Sequence, residues 1–248
     1  MASIDISSLD LNDLIKITPV DLNKILTTSG GNIQVTTNGS KIINATSGNQ
    51  NINGTNGNDV INAGNGNDIL TGGNGNDIIN AGNGNNTIKG GNGNDILNAG
   101  SGKDTLFGEN DNDILSGGAG NDILSGGAGN DTLAGGTGTD ILTGGAGNDV
   151  FKFSSVSDSG VVGRDLIADF VGNGKLPGDQ IDLSAIDADS TKLGNQAFTF
   201  IGAAAFSAPG QLRYSGGTLQ GSTDADRSPE FEVRLINAPL IVPQDFIL

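Results

Sequence analysis

Aspartate recurs every nine residues through the middle of this chain. It stands at Asp59, Asp68, Asp77, Asp95, Asp104, Asp113, Asp122, Asp131, Asp140 and Asp149, and Asn86 takes the one remaining place in the series. Two residues before each comes glycine, replaced only once, by Asp111; two residues after comes Ile, Leu or, at the end, Phe151. A representative unit is Gly72-Gly73-Asn74-Gly75-Asn76-Asp77-Ile78-Ile79-Asn80. Carboxylates flanked by glycine offer only hard oxygen donors, from side chains and from accessible backbone carbonyls. That is the chemistry of an oxygen-only cation site, and it suits calcium better than magnesium, which prefers a small octahedral shell and keeps its waters.

Other chemistries are excluded by composition. With no Cys and no His among 248 residues, the chain has no disulfides, thiolate sites, zincin-type metal sites or Ser-His-Asp triad. The repeated Gly-x-Gly fails as a phosphate or dinucleotide loop, because Asp stands where a third Gly or a Lys is required. The chain is therefore expected not to be an enzyme. A net charge of −16 argues against nucleic acid and anionic membrane surfaces. No stretch approaches the roughly 18 apolar residues of a membrane span.

The elements that position the aspartates follow from the period. Eleven units run from Gly54 to Lys152 without insertion or deletion, and two weaker ones precede them, with Gly39/Ile43 and Gly48/Ile52 but no Asp. A fixed short period means a solenoid. Six residues of Gly, Asn and Asp predict a turn, and the three that follow, β-branched and apolar, predict a short strand. Two units then make an 18-residue coil, with coils stacked as parallel strands about 4.8 Å apart. The Ile/Leu row points inward as the core. Alternate units place Asp59, Asp77, Asp95, Asp113, Asp131 and Asp149 on one edge, and Asp68, Asn86, Asp104, Asp122 and Asp140 on the other. At about 5 Å each like-charge contact costs roughly 1 kcal/mol in water and about 3 at an effective dielectric of 20, so the edges require a cation.

The units resemble the nonapeptide Gly-Gly-x-Gly-x-Asp-x-U-x of the repeats-in-toxin (RTX) family. The resemblance implies an all-β fold, a parallel β-roll in which each calcium is shared by turns two units apart. Sites are implied between 59/77, 77/95, 95/113, 113/131 and 131/149 on the first edge, and between 68/86, 86/104, 104/122 and 122/140 on the second. That allows up to about nine ions. The implied partners from the turns are Gly57, Gly66, Gly73, Gly75, Gly91, Gly93, Gly102, Gly118, Gly120, Gly127, Gly129, Gly136, Gly138, Gly145 and Gly147. Asn86 offers only a neutral oxygen, so the two sites beside it are expected to be weak or empty. Glu109 and Asp111 replace both glycines of their turn and put the two sites touching Asp113 in question. Folding is expected to depend on the metal, with a Kd of about 10⁻⁴–10⁻³ M.

Three domains are expected: a cap at 1–35, the roll at 36–152 (weak units 36–53, well-matched units 54–152), and a β-rich cap at 153–248. Ser7-x-x-Asp10 and Thr18-Pro19-Val20-Asp21 read as helix starts, so the first cap is expected to be helical. The N-terminus has neither the basic nor the apolar region of a cleaved signal peptide. In the last region strands are expected at 165–170, 180–183, 198–201, 212–214 and 231–236. Asp149-Val-Phe-Lys-Phe153, Asp165-Leu-Ile-Ala-Asp-Phe170 and Gly178-Asp-Gln-Ile-Asp-Leu-Ser184 resemble the C-terminal part of serralysin-type proteases and related secreted RTX enzymes. That resemblance implies that Asp245-Phe246-Ile247-Leu248 is part of an uncleaved type I secretion signal; the alternative is a final strand docked on the core. Asp224, Asp226 and Glu230 suggest a further calcium loop. Asp165, Asp169, Asp179 and Asp182 read as solvated faces or local turn caps.

The expected function is thus a secreted bacterial calcium-binding β-roll, structural or interaction-mediating, exported by type I secretion machinery. Met1 and the N-terminal cap favour a complete chain over the non-catalytic tail of a larger enzyme. A second reading is an ice- or polysaccharide-binding surface, because Asn58, Asn76, Asn94, Asn112, Asn130 and Asn148 form one outward rank and Asn56, Asn74, Asn92 and Asn110 another. Against it, Asn already suits such turns.

Overall fold

The computed structural model describes residues 33–37, 39–45, 47–172, 178–226, 228–236 and 240–248. The helix starts expected at Ser7 and Thr18 lie outside these residues. The end of the expected cap is extended, not helical: Ile33–Thr37 is a strand, paired antiparallel with Ser40–Asn44.

Each nonapeptide supplies one strand and one corner, and successive strands alternate between two sheets, of ten and eleven strands among the described residues. Val60, Ile78, Ile96, Ile114, Thr132 and Val150 are consecutive partners in the first sheet, an advance of 18 residues per coil. The second sheet repeats this from Ile69 through Thr87, Thr105 and Ile123 to Ile141. The strands are longer than the three residues expected. Ile78–Asn83, for instance, runs on through Ala81 and Gly82. Pairing continues there because identical small residues stack, Gly82 on Gly100, with no side chain between the backbones.

Along each strand the sides alternate. In Ile69–Asn74 the first Ile is half exposed, Leu70 is buried, Thr71 is partly open and Gly72 is buried. The inward row from Ile61 to Phe151 is fully buried without exception. Next to it, the two sheets approach over glycine or over Ala63, Ala81 and Ala99. One large apolar side chain per nine residues makes a thin core. Burying it gains much less than ordering nine residues costs in conformational entropy, so the corners must contribute.

Both sheets continue past residue 152. Asp165–Ile167 pairs parallel with Ile141 and Leu142, and Gln180–Asp182 pairs parallel with Val150–Lys152. Phe231–Leu235 then lies on Asp165–Ile167, followed by the antiparallel strands Thr218–Ser222 and Gln211–Ser215. Thr218–Ser222 was not among the expected strands, although its signal is present: Gly216 and Gly217, both at positive φ, close a tight hairpin. The last strand, Phe246–Ile247, docks in parallel on Ile181 and Asp182. The aromatic pairs Phe151–Phe170, Phe153–Phe231 and Phe200–Phe246, with centroids 5.1–6.1 Å apart, join this region to the roll in a single core.

Candidate metal centre

The aspartates of the repeat are buried, with 0–1% of their surface exposed, and they form two columns. Within a column each carboxylate accepts, through Oδ1, the backbone N–H of the residue one coil earlier. In the first column Asp59 N–H donates to Asp77, Asp77 to Asp95, Asp95 to Asp113, Asp113 to Asp131 and Asp131 to Asp149, all at 2.7–2.8 Å. In the second, Asp68 N–H donates to Asn86 at 3.0 Å, then Asn86 to Asp104, Asp104 to Asp122 and Asp122 to Asp140 at 2.7–2.8 Å.

The columns do not end with the repeats. Asp140 N–H donates to Asp165 Oδ1 at 2.7 Å, and Asp149 N–H to Asp179 Oδ1 at 2.9 Å. Asp165 and Asp179 are buried, which corrects their reading as solvated or local caps. Gly163-Arg164-Asp165-Leu166-Ile167 repeats the fourth to eighth places of the nonapeptide after a seven-residue insertion, a signal hidden by the broken period. Asp182 caps its local turn, whereas Asp169 caps a turn of the roll some 25 residues earlier. Asp169 accepts from Gly144 and Gly145 N–H, and Asp182 from Ser184.

The second carboxylate oxygen carries the chemistry. Among the described residues, Oδ2 of Asp68, Asp77, Asp95, Asp104, Asp113, Asp122, Asp131, Asp140, Asp149 and Asp165 is buried with no hydrogen-bond partner. A buried ionised oxygen without a partner is strongly unfavourable, so each must be protonated or meet a cation. Burial accordingly pushes these carboxyls up from 3.8: Asp77, Asp113 and Asp140 to about 7, Asp95, Asp122 and Asp149 to about 6, and Asp165 to about 8. Hydrogen bonds from the backbone oppose the shift, and neighbouring carboxylates add to it.

Backbone carbonyls line the same seam. A Cβ added at Gly93 would collide with the Gly75 carbonyl, at Gly102 with that of Gly84, at Gly120 with that of Gly102, and at Gly147 with that of Gly129. The second-place glycines stack likewise: Gly91 on the Gly73 carbonyl, Gly118 on Gly100, Gly136 on Gly118 and Gly145 on Gly127. The seam also takes in Gly64, Gly82, Gly84 and Gly100. Three of these the sequence reading missed because Ala63, Ala81 or Ala99 breaks the Gly-Gly pair in front, while Gly84 belongs to the unit that carries Asn86. It is at the leading glycines that the two meet: a Cβ at Gly72, Gly90, Gly108 or Gly126 would run into the orphaned Oδ2 of Asp77, Asp95, Asp113 or Asp131 and into the leading-glycine carbonyl of the next coil. Such an oxygen-only set, with no nitrogen or sulfur donor, fits calcium.

Three rungs close without an orphaned oxygen. Asn86 donates its amide Nδ2 to the Gly84 carbonyl at 3.2 Å. Asp59 Oδ2 accepts from Thr55 N–H at 2.5 Å, and Asp179 Oδ2 from Val171 N–H at 2.8 Å. Glu109 and Asp111 adopt φ of 82° and 71°, the left-handed region normally left to glycine, at about 1–2 kcal/mol each. The backbone keeps its path there. Glu109 pairs in register with Gly91 and Gly127, and the Glu109 and Asp111 carbonyls face Gly127 and Gly129 as glycine carbonyls do elsewhere.

The outward Asn ranks have internal work. Asn58 Oδ1 accepts Asn76 N–H at 2.9 Å, a bond repeated by Asn76, Asn94, Asn112 and Asn130 one coil on. Asn74 donates Nδ2 to Asn56 Oδ1 at 2.7 Å, and Asn92 and Asn110 continue that ladder. Asp224, Asp226 and Glu230 do converge, with ligand atoms within 4.8 Å of one another. Their loop already engages them: Asp226 accepts from Ser228, and Glu230 Oε2 from Thr223 N–H at 2.6 Å.

The model of the RTX calcium-binding nonapeptide repeat matches residues 44–79, 71–106, 80–115 and 116–151. Among solved structures, the chain is similar to the solution structure of the AlgE6R3 subunit of a mannuronan C5-epimerase from Azotobacter vinelandii. That match has 30% identity over 58% of this chain and 77% of that one, with a TM-score of 0.41. No curated protein matches significantly.

Proposed function

We propose, from the premise that the chain belongs through residues 44–151 to the RTX calcium-binding nonapeptide repeat family, that it is a calcium-dependent β-roll with a structural or interaction-mediating role. The reading includes export by type I secretion machinery and folding outside the cell. The observation that carries it is the set of ten buried Oδ2 atoms without partners, several of them on the same side of a leading glycine as the carbonyl of the next coil. Bound calcium supplies the positive charge that lets these carboxyls stay ionised at neutral pH.

The chain's own residues do the rest. Oδ1 of each aspartate is held by the N–H one coil away, so stacking of the coils fixes the orientation of the carboxylate. The left-handed glycines let carbonyls of adjacent coils approach, and the inward Ile/Leu row keeps water from the interior. Ions would be held by Asp77, Asp95, Asp113, Asp131 and Asp149 on one column, and by Asp68, Asp104, Asp122, Asp140 and Asp165 on the other. Where calcium is scarce, unrelieved repulsion keeps the chain loose and exportable. An acidic residue followed by three apolar ones, Asp245-Phe246-Ile247-Leu248, supports the type I route, and Ile247 and Leu248 are partly exposed.

Far-UV circular dichroism during a calcium titration from a chelated start tests the metal reading. A cooperative gain of β signal with calcium and not magnesium is expected. A chain already folded under chelation would overturn it. For the export route, deletion of residues 245–248 should abolish secretion through a type I transporter; unimpaired secretion would refute that part alone.

A further inference from the structure

One turn differs from the other corners of the first column. At Glu109 and Asp111, side chains occupy left-handed backbone positions that are glycine in almost every other unit; these are the two non-glycine residues with positive φ among those described. Both are exposed, so neither fills a gap in the core. Their backbone still pairs in register with the coils above and below, so the substitution strains the turn without rebuilding it.

The side chains add charge to a site that already holds two buried carboxylates. Asp95 N–H donates to Asp113 Oδ1 at 2.8 Å, and the Oδ2 atoms of both are buried and unpartnered. Asp111 reaches from the turn of Asp113 to the turn of Asp95, its Oδ2 accepting Gly93 N–H at 3.1 Å. Glu109 lies on the same corner, 3.7 Å from Lys89 Nζ. The negative field of Asp111 acts on both Asp95 and Asp113, and that of Glu109 on Asp95. In the other column Lys103 takes an Asn place near the matching corner and Asn86 replaces a carboxylate. Two exposed carboxylates, one of them paired with Lys89, thus add to the buried pair at this rung, whereas one, Asp158, acts on Asp140 and Asp165, and one, Asp169, on Asp149.

We infer that the Asp95/Asp113 rung is the highest-affinity cation site of the roll and loads first, with Glu109 and Asp111 as its specificity-determining residues. The inference rests on the calcium reading above. A divalent ion at this rung would lie in the field of two added carboxylates besides the buried pair, and that field raises its local concentration and slows its loss. The strain at Glu109 and Asp111 is then tolerated for metal capture. In a stack of nearest-neighbour units, ordering one rung helps the next, so folding spreads from this coil in both directions.

The test is calorimetric titration of the full chain with calcium, read alongside terbium luminescence for the first ion bound. E109Q/D111N removes the charge and keeps the side chains; E109G/D111G also restores the glycines of the neighbouring turns. Both are expected to weaken the first binding step roughly tenfold, as expected when two nearby charges are lost at intermediate screening. E109G/D111G should at the same time recover more β signal when chelated at pH 4.5, where protonation of the buried carboxyls restores structure. An unchanged or tighter first step in either variant would overturn the inference, because a merely structural turn gains from glycine in every respect. A wild-type chain that binds no calcium at all would instead refute the calcium reading itself.

Discussion

The two columns share one backbone and differ in what closes them. Both use the same N–H to Oδ1 ladder at an 18-residue advance, and both run past the repeats, to Asp179 and to Asp165. The first has Gly at the leading place of every turn, an unbroken run of orphaned Oδ2 atoms from Asp77 to Asp149, and added carboxylates at Glu109 and Asp111. The second begins with Ala63, Ala81 and Ala99, holds Asn86 in its ladder, and carries Lys103. Its strongly raised carboxyls, Asp122, Asp140 and Asp165, lie toward the C-terminal end. A rung can thus be closed by a cation or by an amide proton on the same scaffold. Asn86 does the second, donating to the Gly84 carbonyl where an aspartate would leave an oxygen bare. The first column leaves a bare Oδ2 at every rung from Asp77 to Asp149, whereas the second interrupts its run at Asn86, between the bare Oδ2 atoms of Asp68 and Asp104.

Chelation should have the largest effect. Removing calcium at pH 7.5 is expected to abolish most β signal, and hydrogen exchange under partial chelation should separate the columns. Amides near Asn86 should stay protected longer than those near Asp131 and Asp149; equal loss would erase the proposed difference. Next come matched glycines. Gly129→Ala and Gly120→Ala, one in each column, would drive a methyl into the carbonyls of Asp111 and Gly102 at φ of 144° and 149°. Each should destabilise the calcium-bound roll by about 2–4 kcal/mol in denaturant titrations, because the backbone seam is common to both. A large difference between them would show that the scaffolds are not alike.

Reciprocal exchange at the rungs is expected to be smaller. Asn86→Asp removes the amide bond to Gly84 and leaves another bare oxygen, so amide protection around it under partial chelation should fall while native mass spectrometry shows tighter or additional calcium. Asp131→Asn should do the reverse, losing calcium yet easing chelated folding. Opposite signs for the two exchanges sharpen the comparison; equal signs break it.

Acidification should give the gentlest change. Asp77, Asp113 and Asp140, raised to about 7 by burial, and Asp165, raised to about 8, bind protons better folded than unfolded. The stability they contribute is fully present below about pH 4, and is lost as pH rises through 6 to 8. Chelated protein should therefore regain some β signal when taken from pH 8 to 4.5, whereas in calcium the same step should release ions. Chelated protein that loses structure on acidification would contradict the burial of these carboxyls.

Much of this was legible in the nine-residue period. The solenoid, the inward Ile/Leu row, the alternation of Asp between two edges and the oxygen-only donor set all follow from residues at fixed places, since a stack of identical units repeats every contact. Asn86 was legible as an exception for the same reason. The period could not carry the reading beyond its own register. Asp165 and Asp179 join the columns after returns of 25 and 30 residues, and only folding brings them back into line. Nor does the sequence say how long a strand is when glycines extend it, or that the outward Asn oxygens are engaged by the next coil's N–H. It identifies Glu109 and Asp111 as departures, but whether they break the turn depends on a backbone held from both sides by its neighbours. The sequence by itself determined the repeat, the core row and the metal chemistry, because these are properties of one unit copied many times. The tertiary structure alone decided which oxygens are left without partners, because that depends on what the adjacent coil offers to each.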